Sequence, residues 1–191
     1  LRDNTMSIRM MPIGSTFSKF NRLVRDLSRE LGKEIVLSTD GAETELDKTV
    51  IEKLNDPMVH LIRNAIDHGI ESPAERAKLG KPRQGNILLS AIHSGAFVLI
   101  QIIDDGAGLD KDAIFRKAVE RGLIMSDAVL SEKEIFSFLF APGFSTAKVV
   151  TNVSGRGVGM DVVKKNIDAL QGSVEMSSKK GEGTTVTLKI P

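Results

Sequence analysis

Two apolar runs of strand length, separated by a short turn, restrict the fold of this chain more than any other feature of its sequence. Residues 86–93 and 97–103 are rich in Ile, Leu and Val, and residues 94–96 between them read Ser-Gly-Ala. Such a pattern predicts a β-hairpin. Residues 173–177 and 184–190 predict a second hairpin near the end of the chain. Neighbouring hairpins favour a mixed, mostly antiparallel sheet over a strict alternation of strands and helices.

Helical patterns surround these hairpins. Apolar residues recur at helical spacing from Phe17 to Leu31, and Gly32 is a typical stop. A short helix is predicted over residues 47–54, and a separate one from Asp56-Pro57 to about His68, because Asp before Pro is a typical helix start. We therefore expect an α+β two-layer sandwich with helices on one face of the sheet. The other predicted elements are a strand at 34–39 and helices near 73–79, 111–121, 131–140 and 158–170.

The size and charge of the chain exclude several classes of protein. Its 191 residues suit one domain, and 26 basic against 25 acidic residues leave a net charge of +1. This balance does not favour binding to nucleic acid or insertion into a membrane, and no apolar run approaches the ~18–20 residues that span a bilayer. The absence of cysteine excludes disulfides and is compatible with a reducing cytoplasm, where we expect the protein.

A polar stripe marks the predicted helix that begins at Pro57. His60, Asn64 and His68 are four residues apart, so they share one helix face. An Asn amide oxygen can ligate Mg²⁺, and an imidazole can donate to a phosphate or accept a proton near pH 7. A solvated polar face explains the same residues about as well. A zinc site is disfavoured because two helical turns separate the two histidines.

The motif Asp104-x-Gly106-x-Gly108 directly follows the strand at 97–103. The strand end delivers a carboxylate to the sheet edge, and the glycines let the backbone turn sharply and approach a ligand. A carboxylate accepts a hydrogen bond from an exocyclic amine and repels a carbonyl, so the motif fits adenine better than guanine. A plain Asp-Gly turn is the main alternative, whereas a calcium loop would need a Glu further along the chain.

Two other glycine motifs are weaker signals by themselves. Residues 154–161, Ser-Gly-Arg-Gly-Val-Gly-Met-Asp, precede a predicted helix, where backbone N–H groups can hold phosphate. No predicted strand precedes them and no P-loop Lys-Ser/Thr is present, so a dinucleotide-binding fold and a P-loop are rejected. Residues 181–185, Gly-Glu-Gly-Thr-Thr, can place Thr184 beside a purine, although a hairpin turn explains them more simply.

Taken in order, the four motifs resemble the N, G1, G2 and terminal glycine-threonine boxes of the superfamily of gyrase, heat-shock chaperones, histidine kinases and MutL. The resemblance covers about residues 6–190 and implies the Bergerat fold, with ATP between helices and a lid. Residues 1–14 are then expected to end a helical dimerisation domain, and residues 15–191 to form the catalytic domain. The segments that most resemble the ATP-binding domain of chemotaxis histidine kinases are IRMMPI with LVRDLSRELGKEI, DPMVHLIRNAIDHGIE, FLFAPGFST and SGRGVGMDVVKKNI.

This resemblance implies roles for individual residues. Asn64 would ligate Mg²⁺, His60 would lie beside the γ-phosphate, and Asp104 would bind the adenine amine. Lys117, or Lys111 in its place, would reach a phosphate. The catalytic residues would be His60 and Asn64, and the ATP-binding residues would be Arg63, Asn64, Asp67, His68, Asp104, Gly106, Gly108, Lys117, Ser145, Thr146, Gly155, Arg156, Gly157, Val158, Gly159 and Thr184, of which Ser145, Thr146, Gly155, Gly157 and Gly159 would form a mobile lid.

The position four residues before Asn64 separates two functions. ATPases of the superfamily carry there a Glu that activates water, whereas this chain has His60, which favours transfer of the phosphoryl group over hydrolysis. The resemblance therefore implies a histidine kinase that phosphorylates a separate domain and then supplies a response regulator, with coupling proteins and receptors as indirect partners. A nucleotide-gated ATPase is the alternative, and a binding module without catalysis is a third hypothesis.

Overall fold

A five-stranded sheet forms the centre of the computed structural model, which describes residues 9–144 and 159–191. Its strand order is β2-β4-β5-β7-β6, and every neighbouring pair is antiparallel except β2 with β4. Both predicted hairpins are confirmed, because β4 pairs with β5 and β6 with β7. The strands are β2 (Ile35–Asp40), β4 (Gly85–Ser94), β5 (Phe97–Asp104), β6 (Ser173–Lys179) and β7 (Gly183–Ile190).

Helices cover one face of this sheet, which confirms the predicted two-layer sandwich. Buried residues alternate along β5, and the same core contains apolar side chains from the first, second and sixth helices. The second helix continues into a π-helical turn at Ala65–Gly69, and the fifth ends in a 3₁₀ turn at Phe138–Phe140. The helices are α1 (Gly14–Leu31), α2 (Lys48–Asn64), α3 (Pro73–Lys78), α4 (Lys111–Glu120), α5 (Glu132–Ser137) and α6 (Met160–Ala169).

Helix α2 corrects one prediction, since the two helices expected at 47–54 and 56–68 are a single helix with Pro57 inside it. A proline within a helix costs about 3 kcal/mol. Leu54, Met58 and Ile62 lie on both sides of Pro57 and are completely buried. Burial of each such side chain contributes about 1.5–3 kcal/mol, so their packing against the sheet outweighs the cost of the proline.

A small two-stranded sheet was not predicted. Strand β1 (Met10–Pro12) pairs antiparallel with β3 (Glu45–Asp47), and Ile13 directly after β1 is fully buried. Strands of three residues are too short to show an alternating pattern, which explains the omission. The expectation that residues 1–14 end a helical dimerisation domain stays a prediction, because residues 1–8 lie outside the described part of the chain.

Candidate functional site

Helix α2 carries two of the predicted polar residues towards α6. His60 and Asn64 are both partly buried, and the Asn64 Nδ2 donates a hydrogen bond to Met160 Sδ at 3.1 Å. The third member of the stripe, His68, lies in the π-helical turn, which changes the helical register, and its side chain is 77% exposed. The structure therefore keeps His60 and Asn64 on a partly buried face and leaves His68 beside Asp67 at the surface.

The electrostatic surroundings of His60 favour its neutral form. Burial lowers the pKa of His60, and the positive charge of Arg63 lowers it further. The negative charge of Asp161, at the start of α6, opposes this shift. A neutral imidazole can accept a proton at pH 7, so the geometry supports a proton-accepting or hydrogen-bonding role for this residue.

The π-helical turn brings the end of α2 against the loop that follows β5. The Ile70 N–H donates to Ala65 O at 2.8 Å, and the Ala107 N–H donates to Gly69 O at 2.8 Å. A Cβ on Gly106 would lie 2.2 Å from Gly69 O, so a larger residue cannot occupy that position without moving the turn. The requirement for glycine at 106 is thus a requirement for close approach of two backbones.

Asp104 is the buried carboxylate at this junction, with 7% of the residue exposed. A Cβ placed on Gly69 would lie 3.4 Å from Asp104 Oδ2, which shows how closely the helix end approaches the carboxylate. Burial raises the pKa of Asp104 to about 6, although backbone N–H groups of Gly106 and Thr184 donate to the carboxylate and lower it. At neutral pH the group is mostly ionised, poorly hydrated and suited to accept a hydrogen bond from a ligand amine.

Four charged residues behind this loop were not predicted as part of the site. Arg76 is only 1% exposed, and its guanidinium donates to Glu71 Oε1 at 3.0 Å and to Asp105 Oδ2 at 3.2 Å. Lys81 Nζ donates to Glu71 Oε2 at 2.7 Å and to Gly106 O at 2.9 Å. These cations fix the backbone on the far side of Asp104. No periodic pattern in the sequence predicts this network, because Arg76 lies in a short helix, the other three lie outside the helices, and charged side chains are usually solvated.

The predicted Thr184 lies beside Asp104, since the two residues are direct partners in the β5–β7 ladder. Its Oγ1 is 2.9 Å from Ser178 Oγ, which also accepts a hydrogen bond from the Leu109 N–H at 2.7 Å. Gly108 has a φ of +74°, and a Cβ there would lie 2.3 Å from Lys179 O. The β6–β7 turn thus closes the other side of the Asp104 loop.

Lys117 of α4 is partly buried beside a second, smaller hydrophobic cluster that contains residues of α4 and α5. Its Nζ is 5.2 Å from the centre of the Phe144 ring, and Phe136 and Phe144 are both buried in that cluster. Lys111 instead pairs with Glu132 at 2.8 Å. The structure therefore gives both lysines protein partners, and their expected contact with a phosphate stays a prediction.

The predicted lid falls mostly outside the described residues. Only Gly159 of this set is described, and it precedes α6 in an extended conformation. The part of the candidate site that residues 145–158 would form therefore stays a prediction. The predicted residues that lie outside the described part are Ser145, Thr146, Gly155, Arg156, Gly157 and Val158.

Comparison with known sequences identifies the relatives of this chain. The model of the family described as histidine kinase-, DNA gyrase B-, and HSP90-like ATPase matches residues 53–191. The chain is 56% identical over 97% of its length to the sensor histidine kinase CheAY of Helicobacter pylori, and 51% identical over its whole length to the chemotaxis protein CheA of Klebsiella aerogenes. It spans only 23% and 29% of those two relatives.

Solved structures give the same fold. The catalytic domain of the histidine kinase ThkA matches with a TM-score of 0.60 at 16% identity, over 97% of this chain and 96% of that one. Full-length ShkA in complex with AMPPNP matches with a TM-score of 0.59 at 18% identity, over 100% of this chain and 32% of that one. Across residues 9–144 and 159–191, moreover, the helices are too short or too polar to cross a bilayer.

Proposed function

The chain belongs to the family of histidine kinase-, DNA gyrase B- and HSP90-like ATPases, and we propose that it binds Mg-ATP and transfers the γ-phosphoryl group to a histidine on a separate domain. The matches to CheAY and CheA, over 97% and 100% of the chain, support this choice within the family. The proposed domain partners are the phosphoacceptor and dimerisation domains of the same kinase. A response regulator and the receptors with their coupling protein would act indirectly.

The observation that carries the proposal is the meeting of α2 with the end of β5. The buried Asp104 carboxylate approaches Gly69 at one end of the helix, while His60 and Asn64 lie further back on the same helix. An adenine amine that donates to Asp104 would leave the phosphates to extend along α2. The two strongest sequence motifs thereby become the two ends of one elongated site.

The described residues also fit a magnesium ion that is held mainly by the nucleotide. Within residues 9–144 and 159–191 there is no group of three or more His, Cys, Asp or Glu side chains that could hold a metal. Mg²⁺ in nucleotide sites commonly takes one or two protein ligands and completes its shell with phosphate and water. The Asn64 Nδ2 donates a hydrogen bond to Met160 Sδ, which leaves the Oδ1 to serve as a protein ligand of the ion. The ion would neutralise phosphate charge.

His60 supports transfer rather than hydrolysis. A Glu at this position would be a carboxylate suited to activating water, whereas His60 is partly buried and has a lowered pKa. A neutral imidazole beside the γ-phosphate can orient it by a hydrogen bond without adding negative charge. Phosphoryl transfer depends mainly on such positioning and on charge neutralisation.

The test is a transfer assay with the acceptor on a separate molecule. The chain, Mg-ATP labelled at the γ-phosphate and the phosphotransfer domain of a CheA relative are mixed, and acid-labile phosphate on the acceptor is measured. We expect transfer that disappears when the acceptor histidine is replaced. Rapid release of free phosphate without transfer would favour the ATPase alternative, and nucleotide binding without either reaction would contradict the kinase.

A further inference from the structure

Lys33 lies at the junction between α1 and β2, upstream of the residues that the family model matches. Gly32 ends α1 with a φ of +67°, and the Lys33 N–H donates to Ser28 O at 2.8 Å. This is a glycine-terminated helix end that fixes the direction in which the chain leaves the helix. The backbone of Lys33 is thus attached rigidly to α1.

The side chain of Lys33 reaches the π-helical turn of the candidate site. Its Nζ donates to Ile66 O at 2.6 Å and to Asp67 O at 2.9 Å. Burial lowers the pKa of Lys33, while the negative charges of Asp67, Glu75 and Glu71 oppose that shift. Residues 33 and 66 are far apart in sequence, so these contacts join α1 to the end of α2.

The carbonyls that Lys33 binds have lost their usual helical partners. The chain leaves the helix at Ile70, whose backbone is extended at φ −81° and ψ 129°. Ala65 O accepts from the Ile70 N–H and Gly69 O from the Ala107 N–H, while Ile66 O and Asp67 O lie between them. An ammonium group at this place satisfies both carbonyls and offsets the negative end of the helix dipole.

We propose that Lys33 is a positioning residue of the nucleotide site, an inference that rests on the proposed function. By holding Ile66 O and Asp67 O, it sets the turn that brings Gly69 against Asp104. It acts through the backbone and does not touch the nucleotide. Because it is fixed to α1, a displacement of α1 reaches the adenine end of the site through this side chain.

The main test compares nucleotide affinity in four versions of the chain. They are the unchanged chain, Lys33→Met, Lys33→Arg and, as a matched control, Lys19→Met, which replaces an exposed lysine of α1. Mg-ADP is titrated into each by calorimetry at a temperature where melting curves show that all are folded. Lys33→Met keeps most of the unbranched side chain and removes the ammonium group with its charge and its donated hydrogen bonds.

We expect Lys33→Met to weaken Mg-ADP binding at least about fivefold, because a charge-assisted hydrogen bond is lost on each of two carbonyls. Lys33→Arg should stay within about threefold of the unchanged chain because it restores a charged donor, and Lys19→Met should have no effect. Equal affinities of the unchanged chain and folded Lys33→Met would overturn the inference. If Lys33→Arg weakened Mg-ADP binding as much as Lys33→Met, the inference would also be overturned, because a cationic donor at position 33 would then not be what supports binding.

A measurement on the unchanged chain covers the case in which Lys33→Met does not fold. The ¹³Cε resonance of Lys33 should shift when Mg-ADP saturates the site, since the turn it holds would respond to the ligand, whereas that of Lys19 should not. A stationary Lys33 resonance during confirmed binding would contradict the inference. Failure of the unchanged chain to bind Mg-ADP at all would instead contradict the proposed function.

Discussion

Asp104 and Asn64 mark the two ends of the candidate site, and they differ in how much of the surrounding protein fixes them. The Asp104 carboxylate accepts backbone N–H bonds from Gly106 and Thr184, and the loop behind it is held by the buried Arg76 and the partly buried Lys81. Asn64 is partly buried, and the side-chain hydrogen bond described for it goes to the thioether sulfur of Met160, a weak acceptor.

This difference suits two tasks. Recognition of a flat base needs an acceptor already in place before binding, because ordering a loose group would reduce the affinity. Under the proposed function, the phosphate end would instead exchange partners as a phosphoryl group moves, so few fixed contacts among the described residues would be an advantage there. The comparison leads to four predictions, which range from a loss of folding stability to a moderate change in affinity.

The largest effect is expected for Arg76→Met. This change leaves the largely buried Glu71 carboxylate, and the partly exposed Asp105 carboxylate, without their guanidinium partner, so the free energy of unfolding should fall by about 3 kcal/mol in urea titrations. Arg83→Met is the matched control. Arg83 is 60% exposed and 3.9 Å from Glu34, so its loss should cost less than about 1 kcal/mol. Similar losses for both variants would show that the Asp104 loop is fixed by something other than this network.

Asn64→Asp is expected to damage catalysis more than binding. The substitution is nearly isosteric but adds a negative charge beside the phosphates, so the transfer rate should fall about a hundredfold. The dissociation constant for Mg-ADP should change less, by about threefold, because Asp104 still holds the base. Rates come from the transfer assay and affinities from calorimetry. Equal losses in both would remove the proposed metal role of Asn64.

Asp104→Asn should have the opposite profile, with its main effect on binding. Replacing the ionised acceptor by a neutral amide should weaken adenine nucleotide binding at least about tenfold, because a charge-assisted hydrogen bond is lost. Asp127→Asn, at an exposed position, is the control and should bind normally. An unchanged affinity in calorimetry would exclude Asp104 from the pocket.

The pH dependence of binding should follow the ionisation of Asp104. Its pKa is raised to about 6, so the carboxylate is ionised at pH 7 and mostly protonated at pH 5. Affinity for Mg-ADP should therefore fall by up to about tenfold over this range. The nucleotide itself also titrates, and for that reason the comparison is made with Asp104→Asn, whose profile should be flatter. Parallel profiles would mean that another group controls the dependence.

Ionisation of Asp104 also affects folding stability, with a sign set by its raised pKa. The folded chain binds this proton more tightly than the unfolded chain, whose Asp has a pKa near 3.8. The contribution of Asp104 to stability is therefore greatest below pH 4 and is lost as the pH rises through about 6. The protein thus keeps a destabilising carboxylate at neutral pH, which is expected of a group retained for binding.

Sequence patterns predicted most of the fold, and they also led to the hypothesis that Asp104 and Asn64 form the two ends of the candidate site. Both hairpins, α1 with its stop at Gly32, and the position of Asp104 at the end of a strand follow from turn chemistry and periodicity. These signals act over a few residues, so they are readable without the fold. The ordered motifs then indicated the family, which its sequence model confirms.

Other features required the tertiary structure because they depend on partners distant in sequence. The core packs apolar residues on both sides of Pro57 and so keeps α2 continuous, whereas the local signal there predicts a helix start. A π-helical turn moves His68 out of the stripe that spacing alone predicts.

The charged residues show most clearly the difference between features readable from the sequence and features that depend on the fold. Arg76 and Lys33 look like ordinary surface cations in the sequence, and only the folded chain shows that one is buried against Asp105 and that the other caps Ile66 and Asp67. The sequence by itself determined which chemical groups are available to the candidate site. Tertiary packing decided which of them are desolvated and held, because desolvation depends on everything that surrounds a charge and not on its neighbours along the chain.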